Sequence, residues 1–307
     1  MKGLELCREY WETVGKPELL KVCPELLSHC AVGLVGEGSE CFGFDDEISR
    51  DHDWGPGFCL WLTDEDMALY GDALRDAYAT LPQEFHGFRR LRESAMSAGR
   101  IGVLPVGDFY RRYIGVPRAP ETLREWRIAP EDGLSVVTNG AVFSDAVGVF
   151  SEIRGKLLEF YPEDYRRKKL AACCAEAAQS GQYNYSRCLR RGETVAAHIA
   201  LSRYISAVQS ILFLLNRRYK PYYKWSQRAL RELPLLGHGI APLLEKLAVG
   251  TAEDNVRAVE QVAAQIIDAL RAAGLSDADS DFLMPHAQSV QEHIADENLR
   301  RLHLMAQ

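Results

Sequence analysis

The hydrophobic pattern changes period part-way along the chain. Up to about residue 145, apolar residues fall into short runs bounded by glycine and proline; beyond it, nearly all recur every three to four positions. Short continuous apolar runs mark buried strands, and a period of about 3.6 marks helices. The pattern therefore predicts an α/β first part and an all-helical second part.

Within the first part, residues 1–30 read as helix, broken at Pro17 and Pro24. "AVGLVGEGS" predicts a buried strand that leaves into a glycine turn. "GFCLWLT", residues 57–63, predicts a second strand, and residues 64–81 predict a helix behind an acidic first turn. "RIGVLPVGDFY", residues 100–110, reads as a third strand running into a helix start. Asn, Gly, Ser and Asp then cluster in residues 138–148, which sets the expected domains at 1–145 and 146–307. In the second part, residues 193–216 place Val195, His198, Ile199, Ser202, Ile205, Val208, Leu212 and Leu215 along one broad stripe. A further helix should end at Gly274 as its C-cap, and "QSVQEHIADENLRRLHLMA" predicts one last amphipathic helix. No internal repeat or low-complexity segment is visible.

Composition narrows the class. Of 307 residues, 47% are apolar and 26% charged, enough to bury a core and too ordinary for wholesale disorder. A net charge of -7 argues against a long nucleic-acid partner. Met1–Tyr10 lacks the pattern of a signal peptide, and the longest apolar stretch of the second half, Ile211–Leu215, is too short to span a bilayer. No C-x-x-C pair occurs among the 8 cysteines, and Cys173-Cys174 reads as core. A reduced, cytoplasmic protein without a membrane partner is the expectation. The histidines are scattered with no H-E-x-x-H, so no dedicated zinc site is expected.

The chemistry concentrates in "GEGSECFGFDDEISRDHDW", residues 36–54. Two carboxylates at i and i+2 on a strand share a face, where their oxygens suit a hard cation such as Mg²⁺. A glycine turn exposes backbone N–H groups that can hold phosphate. Gly36, Gly38 and Ser39 form such a turn, and Asp51-His52-Asp53 supplies the acids, with His52 on the opposite face.

This order resembles the nucleotidyltransferase superfamily with the DNA polymerase β-like catalytic fold. More narrowly, the stretch is similar to an uncharacterised bacterial family of predicted nucleotidyltransferases, and the likeness continues through "SGQYNYSRCLRRGE" and "LLNRRYKPYYKW". The resemblance implies an α+β domain with a small mixed sheet, then a helical bundle, in a layout similar to aminoglycoside nucleotidyltransferases. It implies Mg²⁺- or Mn²⁺-dependent transfer of a nucleoside monophosphate from an NTP to a small-molecule or protein acceptor. Asp51 and Asp53 would be catalytic and hold the metal; Gly36, Gly38 and Ser39 would hold the phosphates. Lys224, Arg187 and Arg190 would add charge from the helical part, with "YNYSRCLRRGE" read equally well as a plain solvated face. "KPYYKW" has its own plain reading, a packing knot at a helix start.

One feature departs from that superfamily, which usually adds a third carboxylate from a later strand. The matching stretch, residues 100–106, holds none, and Asp108 lies just past it. Glu37, Asp45, Asp46 and Glu47 read as solvated loop acids, each a candidate substitute. The same gap supports a second reading, a nucleotide-binding or protein-interaction module without turnover.

Overall fold

Residues 1–50, 54–91 and 99–306 are described by the structure, a computed structural model. They form two units, Met1–Glu159 and Phe160–Gln307. The first builds a four-stranded mixed sheet with helices, and the second is helical among its described residues. This is the α+β-then-α architecture that the resemblance implies; the hydrophobic pattern gives the same two-part division, with the first part read as α/β.

The first unit opens with α1 (Gly3–Tyr10), a π-helical turn (Trp11–Gly15) and α2 (Lys16–Val22). The expected break at Pro17 is absent, because helical backbone runs through Gly15 and Lys16. Pro17 has no N–H to give the preceding turn. The π-helical turn directly before it widens the ladder by one residue and so accommodates that loss. Gly15 lets the turn lie against Phe58, since a Cβ there would come within 2.5 Å of the ring. The stop near Pro24 falls as expected, with α2 ending at Val22.

Next come β1 (Cys30–Leu34), β2 (Cys59–Leu62), α3 (Asp64–Thr80), the short strands β3 (Glu84–Phe85) and β4 (Phe88–Arg89), β5 (Gly102–Pro105) and α4 (Val106–Ile114). They are followed by α5 (Leu123–Ile128), α6 (Glu131–Thr138), β6 (Ala141–Asp145) and α7 (Val149–Leu158). The main sheet runs β5-β2-β1-β6, with β1 antiparallel to both β2 and β6 and β2 parallel to β5. Parallel neighbours need a long crossover, and α3 supplies its helix. Thr63 caps α3 by accepting the Asp66 N–H. Every residue of β1 and β2 is buried, which is why these strands read as continuous apolar runs.

Alternation along β2 gives the sheet two covered faces. Leu60 and Leu62 join Tyr10, Trp11, Leu19, Phe58, Leu74 and Tyr78 under α1 to α3. Trp61 points the other way, stacked on Phe150 of α7 with centroids 4.0 Å apart and edge-on to Phe109 of α4 at 5.3 Å.

The hydrophobic pattern misses β6. The polar cluster at 138–148 reads as a domain boundary, yet it turns the chain into this edge strand, and the first unit continues to Glu159. All five β6 residues are only partly buried, so no apolar run marks them.

The second unit contains α8 (Glu163–Ala177), a π-helical segment (Ala178–Tyr185), α9 (Ser186–Arg190), α10 (Thr194–Leu215), α11 (Tyr223–Leu230) and α12 (Gly237–Val249). It ends with α13 (Ala252–Ala272), α14 (Leu283–Glu292) and α15 (Glu297–Arg300). The α8 helix packs on both α10 and α14 and carries Cys173 and Cys174 in the core, as expected. Its Lys168 is fully buried and donates to Gln291 Oε1 at 2.6 Å and to the carbonyls of His303 and Leu304 at 2.8 Å. These acceptors from α14 and the segment after α15 help to satisfy the buried charge.

The expected stripe on α10 is half right. Val208 and Leu212 are buried, but Val195 and Ile199 are 72% and 53% exposed. Its first turns instead bury Ala197, Ala200 and Leu201, because small side chains let α10 approach the π-helical segment closely. By length and composition, α10 alone among the described helices could cross a membrane, although much of it is buried inside the unit. The last predicted helix is split: α14 stops at Glu292, and Asp296 starts α15 by accepting the Leu299 N–H. Asp164 on α8 takes the N–H groups of Ala295 and Asp296, which fixes the bend between them. Gly274 ends α13 with φ +62°, as the sequence suggests.

The π-helical segment gives a first test of the packing. A Cβ on Gly181 would overlap the ring of Tyr204, whose hydroxyl donates to the Val259 carbonyl at 2.8 Å. Gly181→Ala is expected to destabilise the second unit by about 1–3 kcal/mol through overpacking. A urea midpoint unchanged from the wild type would show that Tyr204 yields freely.

Candidate functional site

β1 delivers the chain into the turn that the sequence singles out. Gly36 is pinned on both sides by one residue: its N–H donates to Asn139 Oδ1 at 3.1 Å, and Asn139 Nδ2 donates to its carbonyl at 2.7 Å. The Gly140 N–H donates to the Cys41 carbonyl at 2.8 Å, so the loop before β6 braces the turn twice. Within the turn, the N–H groups of Cys41 and Phe44 donate to the carbonyls of Gly38 and Ser39 at 3.0 and 2.9 Å. Among the described residues, no acceptor is bonded to the N–H of Gly38 or Ser39.

A buried acid holds the turn from below. Glu40 is 4% exposed, takes a hydrogen bond from the Ser39 hydroxyl, and lies 3.6 Å from Arg100 Nη2. A Cβ on Gly38 would overlap this carboxylate, so a side chain there would have to displace Glu40 from its buried position. Burial raises the Glu40 carboxyl above its ordinary 4.5, and Arg100 only partly opposes that shift.

A carboxyl raised on folding binds its proton more tightly in the folded state. Its contribution to stability is therefore fully present below about pH 4.5 and is lost as pH rises through the folded-state value. Glu40→Gln should flatten this part of the stability profile above pH 4.5 in urea titrations. Parallel profiles for the two proteins would contradict the assignment.

Asp45 is not the solvated loop acid that the sequence suggests. It is 5% exposed, accepts the Gly3 N–H at 2.8 Å and Trp54 Nε1–H at 3.3 Å, and lies 3.5 Å from Lys2 Nζ. These partners tie the N-terminus of α1 to the loop after the turn. Glu37, Asp46 and Glu47 are exposed, as expected.

Asp51, His52 and Asp53 lie outside the described residues. Beside β2, the strand β5 carries no acid, and Asp108 sits in the first turn of α4, exposed and ion-paired with Arg111. Among the described residues, no group of three or more His, Cys, Asp or Glu side chains is placed to hold a metal ion. Cys7 and Cys41 lie close to Glu40, but burial pushes both thiols far up, which removes them as nucleophiles near neutral pH.

The basic candidates belong to the second unit. Arg187 stacks over Tyr183 with its guanidinium 4.7 Å from the ring, and Arg190 Nε donates to the Ser186 carbonyl at 3.4 Å. Lys224 is exposed in the first turn of α11, its Nζ 5.1 Å from the Trp225 ring. Around it "KPYYKW" does form a packing knot. Trp225 Nε1–H donates to the Tyr222 hydroxyl at 2.7 Å, and Lys220 Nζ donates to Ser210 Oγ at 2.7 Å.

Sequence reasoning missed Glu40, Arg100 and Asn139. Glu40 stands next to the Gly-Ser pair and Asn139-Gly140 is a turn dipeptide, yet neither signals which distant partner it meets.

A family model described as a domain of unknown function (DUF4037) matches residues 126–226, a span that includes Arg187, Arg190 and Lys224. No curated protein matches the chain. The crystal structure of a nucleotidyltransferase-like protein from Exiguobacterium sibiricum 255-15 is similar at a TM-score of 0.37 and 12% identity, covering 85% of this chain and 76% of that one.

Proposed function

We propose that the protein transfers a nucleoside monophosphate from an NTP to a small-molecule or protein acceptor, releasing pyrophosphate. The observation that carries this reading is the pre-set Gly-Ser turn at the end of β1. Asn139 fixes Gly36, and Gly38 stays bare above the Glu40 carboxylate. With that backbone already ordered, the N–H groups of Gly38 and Ser39, which no acceptor among the described residues takes, would suit the terminal phosphates, and binding would not have to order the loop.

Asp51 and Asp53 would hold Mg²⁺, which would neutralise charge on the triphosphate when bound. The chain's own part is positioning. The turn grips the leaving phosphates and keeps the reacting group at one place. Arg100 is paired to Glu40, so it sets the turn rather than being a loose phosphate cation. Lys224, Arg187 and Arg190 are the proposed sources of charge from the helical unit.

Pyrophosphate release tests the reaction, measured across the four NTPs with Mg²⁺ against a set of small metabolites and a cell protein extract. Turnover with one acceptor class is expected. NTP binding without any release would favour the module lacking turnover. For Lys224→Ala, we expect weaker NTP binding with a smaller salt dependence and an unchanged unfolding midpoint, because the side chain is exposed. A lowered unfolding midpoint for this variant, with NTP affinity intact in the folded protein, would leave "KPYYKW" as a packing feature only.

A further inference from the structure

A cavity of about 650 Å³ lies within the first unit, away from the Gly-Ser turn in composition: it shares none of Gly36, Gly38, Ser39, Glu40 or Arg100. Residues of α3 line one side, and Ile101 to Leu104, around the outer edge of β5, line the other. β5 is the terminal strand of the sheet, paired only with β2 among the described strands. Gly102 there has φ +98°, a backbone that side-chain-bearing residues rarely adopt.

Arg90 is the unexpected member of this lining. It is 8% exposed, and no carboxylate among the described residues is paired with it. What holds it is Tyr78, whose ring lies 4.2 Å from the guanidinium and whose hydroxyl takes a hydrogen bond from it, and a long bond from Nη1 to the Leu81 carbonyl at 3.4 Å. Tyr78 is itself fixed, donating to the Phe58 carbonyl at 2.8 Å and accepting the Phe58 N–H at 3.3 Å. A guanidinium carries five N–H donors. Burying it with two neutral acceptors, the Leu81 carbonyl and the Tyr78 hydroxyl, and no counter-charge among the described residues leaves donors that a ligand would complete. Arg75, on the α3 side of the cavity, adds a second, exposed guanidinium beside Asp72. Gln83 offers an amide, and Leu91, Ile101, Val103 and Leu104 offer apolar wall.

We propose that this cavity binds a small organic anion, a carboxylate or phosphate head on an apolar body, with the head on Arg90 and Arg75. The fixed guanidinium plane over Tyr78 matches the two-oxygen geometry of either head group. The volume lies within the range of small-molecule sites.

The test uses phenyl phosphate and 3-phenylpropionate as probes, titrated calorimetrically into the full chain. One of the two should bind saturably with one site, and the stronger identifies the head group. Arg90→Met should weaken it at least tenfold and Arg75→Ala a few-fold. Ala79→Trp, on the exposed face of α3 that lines the cavity, should block binding without touching the Arg90 packing. It keeps the proposal testable if Arg90→Met does not fold. Gly38→Val should leave the affinity unchanged, which separates this site from the proposed nucleotide turn. Absence of saturable binding by both probes would overturn the proposal. So would binding that survives Arg75→Ala and Ala79→Trp unchanged.

Discussion

Asp53→Asn is expected to cut pyrophosphate release by at least about a hundredfold while leaving the fold intact. The proposed role of Asp53 is to hold Mg²⁺ with Asp51, and an amide replaces a charged oxygen donor with a neutral one. Losing one group that stabilises developing charge in a transfer reaction typically costs that much or more. The effect should appear in turnover and in the Mg²⁺ concentration needed for half-maximal NTP binding. A purely structural Asp53 would instead alter the unfolding midpoint and leave the Mg²⁺ requirement alone. Asp51→Asn should behave in the same way, and the double variant should lose little more than either alone, since both act on one ion.

Trp61→Ala is expected to have the largest effect on stability, about 3–5 kcal/mol. The side chain is 1% exposed and fills the space between Phe109 and Phe150. Removal leaves a cavity walled by aromatic rings that cannot collapse into it easily. That loss is a large part of the stability of an ordinary domain, about 5–15 kcal/mol. Trp61→Phe should recover much of it, since an aromatic ring still fills part of the gap. A small loss in Trp61→Ala, within about 1 kcal/mol, would mean that α4 and α7 do not pack on the sheet as described.

How far this fold is legible depends on burial. β1 and β2 are covered on both faces, so their apolar runs show them directly. β6 is only half-covered, and its flanking Asn139-Gly140 reads more strongly as a boundary than the strand reads as a strand. α10 shows the same limit in another form. Its periodicity marks a helix, but both faces carry apolar residues, and only the close approach allowed by Ala197 and Ala200 decides which face turns inward. Pro17 misleads because a π-helical turn, a tertiary accommodation, has no local sequence mark.

The candidate site divides in the same way. The Gly-Ser turn is legible as a glycine-rich turn after an apolar run, and at Gly38 a side chain would meet the buried Glu40 carboxylate. Its supports are not legible, because Arg100 and Asn139 are brought to it by the sheet across long stretches of chain. Asp45 looks solvated among its acidic neighbours, and only the meeting with Lys2, Gly3 and Trp54 makes it a buried brace.

The most direct measurement is calorimetric titration of each NTP, with and without Mg²⁺, into the wild type and Gly38→Val. Near-ultraviolet circular dichroism would confirm that both are folded. The account expects Mg²⁺-dependent binding of at least one NTP to the wild type and none to Gly38→Val, whose added side chain displaces Glu40 and distorts the turn. Equal binding by the two folded proteins, or no NTP binding by the wild type, would contradict it.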